Sequence, residues 1–237
     1  MKRSFYLLGI TLMVSAAMLM TACKKDEPAP DGGANITTVD WVDLGLPSGL
    51  LWASCNVGAQ SPEDFGNYYA WGETSAKEVY GWNTYAYGEG PYELTKYCGN
   101  SLYGLNSYSD SLTTLEASDD AASVVLGDGA RMPTKDEWKE LKDHTNRSWI
   151  THNGVNGCLL TASNGNSIFL PAAGSREDSS HYYVGNYGGY WSSTLEAPGP
   201  SIAWTFNLSS YRNEFDVEVR CHGLSVRAVR DGQVSGE

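Results

Sequence analysis

The sequence predicts an α+β domain of two short helices, small antiparallel sheets and extensive irregular loops. Three observations carry this. Thr134-Lys-Asp-Glu137 is a capping box, and Trp138 and Leu141 follow it three apart on one helical face. Several short segments alternate apolar and polar residues with period two and are bounded by turn residues, as strands are. Residues 58–112 have little periodicity and are rich in Gly, Asn, Ser, Tyr and Trp. The chain has 26 Gly, 15 Tyr and 8 Trp but only 5 Phe, which favours loops and strands over long helices.

The elements follow in order. Val39 to Val57 reads as an opening hairpin, turned at Pro47-Ser48-Gly49. Residues 58–112 are too long for a plain connection and read as ordered functional loops. Ser118 to Val125 predicts a short helix capped by Ser118, with Asp119 and Asp120 at its positive end. Pro133 holds the residue before it extended, which sets the start of a helix over Lys135–Asp143. Gly157–Thr161 and Ser167–Leu170 predict strands around the turn Asn164-Gly165. Gly189–Thr194, Ile202–Leu208 and Leu224–Val229 each alternate and predict three more.

The first residues set the organisation. Lys2 and Arg3 precede an uncharged apolar run from Phe5 to Met20, then Thr21-Ala22-Cys23 and a Lys-Lys-Asp-Glu run. The run is too short for a spanning helix, and small residues before a lone cysteine resemble a bacterial lipoprotein signal. The expected division is a signal over 1–22, a tether over 23–38 lipidated at Cys23, one domain over 39–231 and a tail over 232–237. The charged run after Cys23 resembles the surface-export signal of Bacteroidetes lipoproteins. That implies an outer-membrane lipoprotein exposed at the cell surface, with the membrane as partner through its lipid. The net charge is −12, which excludes nucleic acid as a partner.

Four pieces come in a telling order. They are Gly66-Asn-Tyr-Tyr-Ala-Trp-Gly-Glu-Thr74, Arg131-Met-Pro-Thr-Lys-Asp-Glu-Trp138, Gly189-Tyr-Trp-Ser-Ser-Thr194 and Gly223-Leu-Ser-Val-Arg-Ala-Val-Arg230. Together they resemble the Fibrobacter succinogenes major paralogous domain and related bacterial surface domains. The resemblance implies a C-type-lectin-like fold, shared with the formylglycine-generating enzymes, in which a small sheet joins both termini. Trp52, Trp71, Arg131, Thr134, Glu137, Trp138, Trp191 and Arg227 are read as structural: they start and dock a helix or pack the loops.

No catalytic group is expected. His144, His152, His181 and His222 share no ligand spacing, and the sequence lacks Gly-x-Ser-x-Gly and HExxH. The formylglycine-generating branch uses two cysteines near its C-terminal end, whereas Cys221 has no near partner. An enzyme of that type is therefore the least favoured alternative. Cys55, Cys98, Cys158 and Cys221 are open to disulfides or to buried free thiols. No cofactor is expected. A structural calcium is left open by loop carboxylates at Glu63, Asp64, Asp110, Asp119, Asp120 and Asp128. Asp110-Ser111-Leu112 resembles the Bacteroidetes O-glycosylation sequon, with Ser111 as acceptor.

Residues 176–220 hold the expected binding surface. Ser179–Tyr187 and Ser209–Glu214 use Tyr, Ser, Asn and Gly, which combine rigid aromatic area with adaptable hydrogen bonding. The candidate ligand contacts are His181, Tyr182, Tyr183, Asn186, Tyr187, Trp204, Asn207, Tyr211, Arg212 and Asn213. The expected function is a non-catalytic recognition or adhesion module for a glycan or protein ligand. The alternatives are an envelope or fimbria-associated structural subunit and a receptor resembling diversity-generating retroelement targets.

Overall fold

The computed structural model describes residues 39–232. The signal, Cys23, the whole tether and all but the first residue of the tail lie outside the described residues. The chain opens with a hairpin of β1 (Trp41–Asp43) and β2 (Leu51–Ala53), with its turn at Pro47 and Ser48. The loops 58–112 then contain β3 (Tyr68–Tyr69) and two single 3-10 turns. Next come α1 (Ala121–Leu126) and α2 (Lys135–Asp143). A meander follows: β4 (Thr145–His152), β5 (Val155–Ala162) and β6 (Ser167–Pro171). The rest is β7 (Ser175–Glu177), β8 (Ser180–Tyr182), β9 (Tyr187–Leu195), β10 (Ile202–Ser209), β11 (Asn213–Val219), β12 (Leu224–Ser225) and β13 (Val229–Arg230).

Four sheets result, in the orders β1-β2-β13, β11-β10-β9-β12-β3, β4-β5-β6 and β7-β8. Strands make up 37% of the structure and helix 12%, so the α+β expectation is corrected to a mostly-β architecture. The C-type-lectin-like fold implied by the resemblance is corrected with it. The reason is local. The helices are only six and nine residues long. Gly127 ends α1 in a left-handed conformation (φ 63°), and after His144 the chain enters β4 directly. β4, β11 and the β7–β8 hairpin are strands that the sequence pattern does not predict.

Other expectations change in detail. The cap of α1 is Asp120, not Ser118: its carboxylate accepts from the N–H groups of Ala122 and Ser123. The expected strand Leu224–Val229 divides, with β12 in the large sheet and β13 in the sheet that joins the two ends of the described chain. Between them Arg227 turns inward and is fully buried. The box at α2 forms as a box should. Thr134 accepts from the Glu137 N–H, and the Glu137 carboxylate accepts from the Thr134 N–H. The same carboxylate takes both guanidinium nitrogens of Arg131 at 2.6 and 2.7 Å, tying the approaching chain to the helix start.

Three apolar clusters fill the interior. Trp52, Trp138, Tyr190 and Phe206 centre the first, where α2 meets the large sheet. Trp71, Trp191, Tyr97 and Met132 centre the second, beside α1. Tyr68, Tyr80, Tyr85 and Cys221 form the third. Three of the four indoles are also pinned by hydrogen bonds, from Trp71 to the Ser192 carbonyl, Trp138 to the Trp191 carbonyl and Trp191 to the Tyr69 carbonyl. This network holds the middle of β9, the strand that one of the loops of interest leads into.

Candidate functional site

Two segments that are distant in sequence converge on one groove of about 450 Å³. One is the Tyr183–Tyr187 turn before β9. The other is the Ser209–Arg212 turn joining β10 to β11. Cross-strand register puts Asn207 opposite Glu214 on one side and Gly189 on the other, so Asn207 and Glu214 share a sheet face. A side chain on Gly189 would come within 3.0 Å of the Tyr187 hydroxyl, so this glycine leaves room for the Tyr187 ring. Trp149 of β4 and Asn156 of β5 complete a wall.

The aromatic groups are exposed yet held. Tyr183 is 70% and Tyr211 76% exposed. Tyr183 has φ 58°, a region L side chains seldom adopt. Its carbonyl accepts from the N–H groups of both Asn186 and Tyr187, while the Gly185 N–H bonds the Ala172 carbonyl. Gly174 makes this turn feasible, because a Cβ there would lie 2.1 Å from the Tyr182 carbonyl oxygen. Asn156 adds a clamp: its amide donates to the Gly185 carbonyl at 3.1 Å and accepts from the Thr151 hydroxyl at 2.7 Å.

Each charged side chain of the groove has a close partner. Arg212 pairs with Glu214 at 3.0 Å, and His222 meets Glu218 at 3.1 Å. Burial pushes the Tyr187 phenol up, and the carboxylates of Glu218, Asp216 and Glu214 push it further, so it stays neutral. Burial alone would raise Glu218. Its bonds from His222 and the Val219 N–H outweigh that and hold it below the usual range. His222 is raised, because Glu218, Glu177 and Asp178 outweigh the effect of its burial. One acceptor is unspent: the Asn207 Oδ1 is buried without a partner.

Of the expected contacts, Tyr183, Asn186, Tyr187, Asn207, Tyr211 and Arg212 line this groove. The other four lie elsewhere. His181 stacks on Tyr68 at 5.4 Å, away from the groove lining. Tyr182 ends β8, beside Tyr183 but outside the lining. Trp204 packs under the Lys135 ammonium at 3.0 Å. Asn213 pairs with Leu208 and is not in the lining. Trp149, Asn156 and Ser175 line the groove from outside the expected surface, and Glu214 and Glu218 line it from within that surface without being among the candidate contacts. Alternation at Arg147 and Trp149 was a signal for β4, but polar residues on both faces obscured it.

The remaining chemistry is accounted for by structure. All four described cysteines are free and buried; burial lifts the Cys158 thiol to about 11 and that of Cys221 to about 12. No three His, Cys, Asp or Glu side chains among the described residues cluster to hold a metal ion. The loop acids hold their own chain instead. Asp64 accepts from Gln60 and Ser61, Asp110 from Tyr97, Cys98 and Leu112, and Asp119 binds Lys96 and the Tyr97 hydroxyl. Ser111 is exposed. No described helix is long and apolar enough to cross a membrane.

No family model, curated protein or solved structure matches this chain, so no neighbour supports the lectin-like topology.

Proposed function

We propose that this chain is a lipid-anchored outer-membrane protein, displayed at the cell surface, whose domain recognises a glycan or protein ligand without catalysis. The observation that carries the reading is the groove itself. Two segments with a recognition composition meet there and present fixed, solvent-facing tyrosines. Its size falls within the range of small-ligand sites, about 300–1,000 Å³. Rigid aromatic groups lose little freedom on binding, so their area is available for affinity. The non-catalytic part is supported by the thiols, since burial keeps Cys158 and Cys221 protonated and poorly nucleophilic at neutral pH.

The anchor and the groove are tested separately. Labelled palmitate should enter the wild-type chain and not Cys23→Ser, and protease added to whole cells should cleave the displayed domain. Labelling of Cys23→Ser would remove the anchor from the reading. A panel of glycans and surface proteins, with calcium and with chelator, tests recognition. A second reading, an envelope-assembly subunit, is favoured by the exposed apolar side chains of Tyr92, Leu102, Leu105 and Tyr108 in the loops before α1. Co-purification with a larger assembly through those side chains would support it.

A further inference from the structure

We infer that the groove takes an uncharged, hydroxyl-rich ligand with flat apolar faces, namely a short run of neutral hexose units. The inference rests on the recognition reading above and narrows it to one ligand class.

Three features point to this class. First, every charged side chain lining the groove already has an opposite partner: Arg212 with Glu214 at 3.0 Å, and Glu218 with His222 at 3.1 Å. A ligand carboxylate or sulfate would face Glu214 and Glu218. A ligand ammonium would have to displace Arg212 or His222. Either would break a formed pair without a matching gain. Second, the Asn207 side chain lines the groove, and its partly exposed amide can exchange a hydrogen bond with a sugar hydroxyl. Third, the exposed Tyr183 and Tyr211 offer aromatic faces to the C–H faces of a sugar ring.

A peptide fits less well, because its usual route onto a sheet is partly blocked. β11 is the edge of the five-strand sheet. The bonds from Ser209 N–H to the Arg212 carbonyl and from Arg220 N–H to the Ser201 carbonyl set the ladder phase, so the Val217 and Val219 N–H groups point outward. Those two groups are taken by the carboxylates of Asp216 and Glu218 at 2.9 and 2.7 Å. Strand addition would find them occupied.

The test is calorimetric titration of the full-length chain in detergent micelles. The probes are neutral tetrasaccharides of glucose, mannose and galactose, a cationic chitosan tetramer, an anionic galacturonate tetramer and a lysine-rich peptide. The inference predicts saturable binding of at least one neutral probe. Its affinity should change less than about twofold between about 0.05 and 0.5 M salt. It should fall about tenfold or more in Tyr211→Ala and in Asn207→Ala, with near-ultraviolet circular dichroism and melting unchanged. Binding of only a charged probe or the peptide, lost in Tyr211→Ala, would overturn the ligand class and leave the recognition reading standing. No binding by any probe overturns the class as well. The glycan and protein panel then decides recognition independently, since a Tyr211-dependent protein hit there keeps it and a blank panel removes it.

Discussion

Arg227 brings a guanidinium to the middle of the molecule, and its partners are neutral. It donates to the Asn56 side-chain oxygen and to the carbonyls of Ala53 and Phe169. Arg220 does the same with the Tyr85 hydroxyl and the carbonyls of Tyr97, Pro200 and Lys96, beneath the ring of Trp71 at 5.0 Å. Among the described residues neither has a carboxylate partner. Arg220 ties loop carbonyls, and Arg227 ties carbonyls at the end of β2 and on β6, the edge of its sheet. Arg227→Met would keep much of the volume and strand three acceptors at about 1–3 kcal/mol each. A loss of more than about 3 kcal/mol in urea unfolding is expected; a loss under about 1 kcal/mol would show that water replaces the arginine. His222 supplies a second residue-scale prediction. Its raised pKa means its contribution is complete below its ordinary value of 6.5 and is lost as pH rises through the folded value. The lowered Glu218 works from the other side, adding stability above 4.5 that fades as pH falls through its folded value. His222→Gln should therefore lower the melting temperature more at about pH 6 than at about pH 8.5. Equal losses at both would show that the pairing with Glu218, Glu177 and Asp178 does not depend on charge.

At the scale of elements, legibility followed how local each instruction was. The box Thr134–Glu137 and the turn Asn164-Gly165 act over a few residues, so α2 and the β5–β6 hairpin could be read from the chain. β11 could not. Its residues alternate Glu214, Asp216 and Glu218 with Phe215 and Val217, but the acids looked like a solvated loop until β10 paired with them. β12 and β13 read as one strand because the alternation is unbroken across Arg227; only the burial of that guanidinium shows why the chain changes sheets. The groove was half legible for the same reason. Its turns announced themselves by composition, while Trp149 and Asn156 arrive from a sheet whose docking is non-local. The edge of β11 carries its own prediction. Asp216 and Glu218 cap outward N–H groups and add like charge, two ways of blocking edge-to-edge pairing. Asp216→Ser with Glu218→Ser should raise self-association in sedimentation experiments; an unchanged monomer would assign edge protection to other features.

The whole molecule works as a frame for one concave face. Two aromatic clusters pack β9 and β10, indole hydrogen bonds hold β9, and the ends of these strands present Tyr183, Asn207 and Tyr211 together. In the proposed setting, a lipid at Cys23 and the tether that follows would hold this face away from the membrane, within reach of ligands. A chain of net charge −12 would also repel polyanionic surfaces. The account stands on the groove being a place where something binds. Its most direct test is binding of the full-length chain to the glycan and protein panel, wild type beside the double variant Tyr183→Ala/Tyr211→Ala. The account predicts a saturable ligand whose affinity falls at least about tenfold in the variant while melting temperature and circular dichroism stay unchanged. A ligand that binds both chains equally well would place recognition elsewhere on the molecule and contradict the account.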